Sequence, residues 1–211
     1  MVRWRKILVL FGLAAAVVAG AMFYFWRLDW EEKRYEAMIA VASARYRIDP
    51  ILVRAVIWRE SRFRPNMLGL SQERGLMQVR PAAALEWARA EGIRDFKIED
   101  LYQPEINILA GSWYLAKALR HWQGTDDPIP FALAEYNAGR KNALRWVDPE
   151  RPKSAEAFLA RIDFPSTRRY IQQIQTRYAQ YRNGLLRPAW EKLLAEDPAK
   201  QSWVELLSGR Q

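Results

Sequence analysis

Glu60 stands at the end of an apolar run, Ile51 to Trp58, and is followed at once by Ser61-Arg62-Phe63-Arg64-Pro65. Next comes Gly75-Leu76-Met77-Gln78-Val79-Arg80-Pro81, a glycine-opened apolar turn carrying a thioether and an amide. This order is expected to place one carboxylate at the lip of a cleft and two softer groups along its wall. Ala134-Glu135-Tyr136-Asn137-Ala138-Gly139 supplies a second turn, with a phenol and another amide. One acid among amides and aromatic rings suits work on a sugar chain. Taken alone, Glu60 would read as a solvated residue at a helix end, paired with Arg62 or Arg64; the other blocks argue against that.

Helices must hold these turns in place. Asp29 to Arg47 is expected as one helix, with Tyr35, Met38, Ile39, Ala42 and Tyr46 at helical spacing. Asp49-Pro50 opens another, with Asp as cap and Pro at the first helical position, and Glu60 falls in its last turn. Pro65 cannot continue that helix, so residues 62–74 are expected as an irregular loop, with room for a small strand pair. Further helices are expected from Pro81 to about Ala90, from Pro104 through Leu119, over 130–137, 142–147 and 154–161, and from Thr167 to Arg182. Gly124-Thr125-Asp126-Asp127-Pro128 is a loop. The tail from Pro188 to Leu207 reads as two short amphipathic helices. No alternating strand pattern, internal repeat or low-complexity tract stands out, so the fold class is mainly α.

The 211 residues fit one domain plus an appendage, and half of them are apolar, enough for a core. The net charge of +9 favours anionic partners, against the plainer reading of a well-solvated surface. There is no cysteine, which excludes disulfides, a thiol nucleophile and cysteine-based metal or lipid attachment. His121 is the only histidine, so no metal site and no cofactor are expected. No phosphate-binding glycine loop, zinc-finger spacing or RNA-binding aromatic motif occurs, and nucleic acid is not an expected partner.

Arg3, Arg5 and Lys6 precede an uncharged stretch from Ile7 to Trp26, about the length a helix needs to cross a bilayer. Tyr24 and Trp26 suit the interface, and the basic flank (residues 1–6) predicts a cytoplasmic N-terminus. The competing reading is a signal peptide cleaved near Ala19-Gly20-Ala21. Apolar residues continue beyond that site, which favours a retained anchor over 7–26. Either way the remaining chain, a domain over 29–184 and a tail over 185–211, is delivered outside the cytoplasm.

These blocks resemble the lytic transglycosylases of the soluble-lytic-transglycosylase (SLT) type, whose lysozyme-like, goose-type α-fold cuts peptidoglycan. The resemblance is carried by Glu60-Ser61 through Pro65, by Gly75 to Val79 with Pro81, and by Asn107-Ile108 with Gly111, Tyr114 and Leu115. Ala134 to Gly139 continues it, with Glu135 where the family has alanine, and Thr167-Arg168-Arg169-Tyr170-Ile171 is a weaker fifth match. The chain departs from the family at Gly69, where a serine is common, and at Ser166, where the family has a glutamate.

The resemblance implies that Glu60 is the single catalytic acid, first protonating the bridging oxygen and then deprotonating the sugar's 6-hydroxyl to leave a 1,6-anhydro end. Its pKa must then be raised by apolar surroundings, which Trp58, Met77 and Tyr136 are placed to supply. Gln78 would offer its amide to acetamido or hydroxyl groups. Met77 would floor a sugar ring or simply pack in the core. Tyr136 would aim its hydroxyl at Glu60 or the acetamido group, against a backbone-satisfied alternative. Ser61, Asn137 and Tyr170 are further substrate-binding candidates, with bracing the competing role for Asn137 and packing for Tyr170. Glu73 is a candidate second carboxylate, more ordinarily paired with Arg74 or Arg80. Two other functions compete: a goose-type-lysozyme-like hydrolase and a non-catalytic wall-binding scaffold. The implied partners are peptidoglycan glycan strands and, through the N-terminal helix, the inner membrane, with the catalytic domain facing the periplasm or cell wall.

Overall fold

The computed structural model describes residues 2–184, and the expected tail over 185–211, with its two amphipathic helices, lies outside the described residues. The chain divides into two compact units, one up to Glu36 and the other from Ala37 onward. The first unit is essentially one helix, α1 (Val2–Lys33), 32 residues long. Its apolar side chains at Phe11, Leu13, Val17, Val18, Met22 and Phe23 are exposed. Among the described residues, no helix is long and apolar enough to cross a membrane. The expected helix from Asp29 to Arg47 is broken by a turn at Arg34 and Tyr35, after which α2 (Glu36–Tyr46) begins.

The second unit is a helical domain. Asp49 caps α3 (Pro50–Ser61) by accepting a hydrogen bond from the Ile51 amide at 2.8 Å, with Pro50 at the first helical position. The helix stops where Arg62 and Phe63 take left-handed conformations at φ 53° and 60°. α4 (Pro81–Ala90), α5 (Pro104–His121) and α9 (Pro165–Arg182) each begin with proline. A short 3-10 turn (Ile98–Tyr102), not anticipated from sequence, precedes α5. α6 (Pro128–Ala138) starts two residues earlier than expected because Asp127 accepts from the Ile129 amide at 3.0 Å. α7 (Arg140–Arg145) follows Gly139, and Ser154 caps α8 (Ala155–Arg161).

The core forms where α3 packs on α9, α6 on α5 and α9, and α4 on α5. Leu52, Val53, Val56 and Ile57 of α3 are buried, as are Ile171 and Ile174 of α9. An aromatic cluster fills the far end: Phe131 stacks on Phe158 at 4.0 Å between ring centres, flanked by Trp122 and Trp146. Two of the ten tryptophans, Trp122 and Trp146, therefore serve packing here. Among the described residues there is no strand. The loop after α3 shows only isolated bridges, Leu68 with Arg74 and Arg74 with Val79, so the small strand pair is reduced to two bridges.

Candidate active site

One cleft of about 350 Å³ is walled by the end of α3, the loop leading into α4 and the first turns of α4, Tyr114 of α5, and the end of α6. Glu60, Glu73, Gln78, Arg80, Tyr136 and Asn137 all line it, together with Tyr114 and Glu86. The volume falls in the range of small-molecule sites and suits a sugar ring rather than a whole strand.

Glu60 is pushed up to about 7, first by burial and then by the nearby Glu73 charge. The hydrogen bond from Tyr170 and the Arg59 and Arg80 charges act against this without cancelling it. A carboxyl that holds its proton near neutrality can donate it and take it back, as a general acid–base group must. The Tyr170 hydroxyl donates to Glu60 Oε1 at 2.6 Å, and the Tyr170 ring, almost fully buried, lies under the Arg59 guanidinium. Burial and the Glu60 charge hold the Tyr170 hydroxyl well above the ordinary range, so it stays a donor.

For Tyr136 the backbone-satisfied alternative holds, and Tyr170 rather than Tyr136 reaches the acid. Tyr136 lines the cleft, but its hydroxyl donates to the Met77 carbonyl at 2.9 Å rather than to Glu60. Its ring meets Tyr114 edge-on at 5.7 Å. Tyr170, expected to face the cleft or pack, packs behind it and reaches through to the acid. A hydroxyl's direction depends on which acceptor the fold brings within reach, and chain order carries no sign of that.

For Met77 the packing alternative holds, and for Ser61 the substrate contact needs correcting. Met77 is fully buried, with its sulfur against Gly111 and 3.8 Å from the Ser112 hydroxyl, so it forms core and not a ring floor. Ser61 is also buried, and its hydroxyl donates back along α3 to the Ile57 carbonyl at 3.3 Å. Asn137 keeps both expected roles open: its Oδ1 accepts from Thr167 at 2.8 Å while the residue lines the cleft.

Gln78 sits at φ 47°, a conformation that non-glycine residues seldom adopt, and strain of this kind gathers at functional turns. Its amide nitrogen donates to the Gly75 carbonyl at 2.9 Å and the Met67 carbonyl at 3.1 Å. Both donor hydrogens are thus used on the loop, and only the oxygen is left for a ligand. Glu73 accepts from the Ser71 amide at 2.9 Å and from Arg80 at 3.2 Å. Burial works to raise its carboxyl, but the backbone donors and Arg80 outweigh that and hold it below the usual range. Among the described residues, no group of three or more acidic or histidine side chains is placed to hold a metal ion.

Asn107 organises the turn, although the sequence marked it only as part of a matching block. It is fully buried, accepts from the Met77 amide at 2.8 Å, and donates to the Arg74 and Leu101 carbonyls at 2.7 and 2.8 Å. Gly75 passes so close that an added Cβ would lie 2.3 Å from the Asn107 amide nitrogen. The invading Glu135 is buried too, held by Trp122 and His121 at 2.8 Å each and by Arg140 at 3.1 Å. It ties the end of α5 to the start of α7, beneath the Tyr136–Asn137 turn.

Residues 37–159 match the transglycosylase SLT domain family. An X polypeptide of Escherichia coli is 31% identical over 148 residues, covering 64% of this chain and 83% of the relative. A second E. coli X polypeptide is 38% identical over 109 residues, and the chain spans 60% of its length. The membrane-bound lytic murein transglycosylase C of Shigella sonnei (strain Ss046) is 28% identical over 177 residues; the alignment covers 74% of this chain but 48% of that protein. Among solved structures, an inactive mutant of the lytic transglycosylase Slt from Pseudomonas aeruginosa superposes with a TM-score of 0.64 at 26% identity. That match covers 72% of this chain and 24% of the other. The 70-kDa soluble lytic transglycosylase from E. coli shares the fold at the same TM-score and 24% identity, over 74% of this chain and 26% of its own.

Proposed function

The chain belongs to the transglycosylase SLT domain family, and on that premise we propose that it is a peptidoglycan lytic transglycosylase with Glu60 as its one acid–base residue. The observation that carries this reading is the state of Glu60, a carboxyl held near pKa 7 on the wall of a sugar-sized cleft. Two relatives of known name, a membrane-bound lytic murein transglycosylase and a lytic transglycosylase Slt, support the substrate class. Nothing in the comparisons favours a hydrolase or a non-catalytic scaffold.

In the proposed reaction, protonated Glu60 gives its proton to the oxygen joining two sugars as the bond from that oxygen to C1 breaks. The 2-acetamido oxygen of the substrate stabilises the positive charge at C1, replacing the second carboxylate that most glycosidases need. Ionised Glu60 then takes the proton of the 6-hydroxyl while that oxygen bonds to C1, which closes the 1,6-anhydro ring and restores the acid. Tyr170 orients the carboxyl and stabilises its ionised form between the two steps. Asn137 and Gln78 are proposed to touch substrate, while Tyr136 holds the turn through the Met77 carbonyl. Ser61 and Met77 act as packing.

We further propose that residues 7–26 anchor the chain in the inner membrane, with the domain from Ala37 onward on the periplasmic side. The uncharged run, its basic leading flank and the continuous helical backbone of α1 support this. Purified sacculi incubated with the protein test the catalytic reading. Soluble muropeptides should be released by the natural chain, and Glu60→Gln should lower the rate by about 1,000-fold, the middle of the range for general acid–base groups. Equal release by the variant would remove Glu60 from the reaction.

A further inference from the structure

The loop between α3 and α4 carries two features that the cleft does not use. Leu70 at its tip is fully exposed and Leu68 is 53% exposed, and neither lines the cleft. Hydrogen bonds set the tip: the Gly69 amide donates to the Glu73 carbonyl at 2.8 Å, the Gln72 amide to the Gly69 carbonyl at 3.2 Å, and the Ser71 amide to the Glu73 carboxylate at 2.9 Å. Two leucines are thus held out in water on a preset turn. Single exposed apolar side chains are ordinary, but these follow an unneutralised positive cluster. The Arg62 guanidinium lies 3.4 Å from the centre of the Trp58 ring and donates to the Trp58 carbonyl at 2.8 Å, and Arg177 lies 4.6 Å from the same ring. Arg64 donates to the Ser61 carbonyl at 2.9 Å and comes within 3.7 Å of the Met67 sulfur. Among the described residues, Arg59, Arg62 and Arg64 form no ion pair with a carboxylate. Burial pulls the Arg62 guanidinium below its ordinary range, and the charges of Arg59, Arg177 and Arg64 add to that. An anion brought to this cluster relieves the crowding of like charges.

We propose that the loop opened by Arg62 and Arg64 docks on an anionic phospholipid surface, Leu68 and Leu70 entering the boundary of headgroups and acyl chains while the two arginines pair with phosphate. Charge complementarity selects an anionic occupant, and guanidinium groups meet phosphate oxygens through paired N–H donors. The leucines select lipid over a carboxylate-bearing polymer, which would answer the arginines and leave both side chains in water. The inference does not depend on Glu60 as the catalyst. Its consequence for the cleft is one of position: Glu73 belongs to the same loop and lines the cleft, so docking brings the cleft to the leaflet.

The chain has no cysteine, so Leu70→Cys in the full chain takes a single environment-sensitive fluorophore (NBD) at the tip. Leu144→Cys, at an exposed position of α7, carries the same label as the control. In vesicles of phosphatidylglycerol and phosphatidylcholine, the label at 70 should shift to the blue and be quenched by spin-labelled lipid, while the label at 144 does neither. Adding Arg62→Gln and Arg64→Gln should lower the ratio of docked to undocked label by about 20-fold, about fivefold for each arginine near an anionic surface. Circular dichroism reports whether each variant is folded, and Leu68→Cys gives the same readout if Leu70→Cys is not. A label at 70 as water-exposed as the one at 144 would overturn the proposal, and so would equal quenching in phosphatidylcholine alone. A blue shift produced by soluble glycan fragments without lipid would assign the tip to substrate and overturn it too. The proposed anchor fails by a different result, release by alkaline carbonate, which strips a surface-docked loop but not a spanning helix.

Discussion

The charge state of Glu60 has a consequence that can be measured without any substrate. Because burial lifts its carboxyl from an ordinary 4.5 to about 7, the folded chain keeps a proton that the unfolded chain has already released. Stability contributed at this site is therefore greatest below about pH 4.5, falls as pH rises towards 7, and is level above that. Glu60→Gln, which never ionises, should match the natural chain near pH 4 and exceed it by about 3 kcal/mol at pH 8, measured by urea unfolding at both pH values. Tyr170→Phe removes a hydrogen bond that favours the ionised form, so the pKa should rise and the alkaline limb of the activity profile should move to higher pH. An unmoved limb would deny Tyr170 its contact with the acid in solution. The acid itself was legible in the sequence because an apolar run ending in Glu-Ser and a later proline confine it to a helix end. Which tyrosine serves it was not, since Tyr170 is 110 positions away in the chain and only the packing of α9 on α3 brings it to 2.6 Å.

Among the elements, the turn between Gly75 and Pro81 depends on α5. From a fully buried position Asn107 bonds the Met77 amide in the turn, the Arg74 carbonyl just before it and the Leu101 carbonyl ahead of α5, and Gly75 leaves no room for a side chain. Asn107→Ala would strand the Met77 amide and the Leu101 carbonyl, while the Arg74 carbonyl keeps the Val79 amide as donor, at a cost of about 2–4 kcal/mol by the usual penalty for unpaired buried groups. Chemical denaturation should show that loss, and activity should fall because Gln78 and Tyr136 both hang from this turn. Helix starts were readable wherever a capping residue stood before the first apolar positions, with Pro after it at Asp49-Pro50 and Ala after it at Ser154. The shift of α6 to Pro128 has the same cause, since Asp127 caps it, but Pro128 and Pro130, one residue apart, hid which one began the helix. The break at Arg34 and Tyr35 left no mark in the pattern of apolar residues, which runs on at helical spacing across it.

For the molecule as a whole, stability resides away from the cleft, in the stack of Phe131, Phe158, Trp122 and Trp146. Phe158→Ala should cost about 3–5 kcal/mol in thermal or denaturant unfolding, the range for a fully buried aromatic ring. The cleft can then carry a half-buried acid and a strained Gln78 without endangering the fold. If residues 7–26 anchor the chain, the full-length protein should stay with the membrane fraction after alkaline carbonate extraction, and recovery in the supernatant would refute the anchor. The central claim concerns the bond that Glu60 helps to make once the glycosidic bond is broken. Mass spectrometry of muropeptides released from purified sacculi reads that directly. The account predicts fragments ending in 1,6-anhydro-muramic acid, each one water lighter than a hydrolysis product; fragments with free reducing ends and no anhydro form would contradict it.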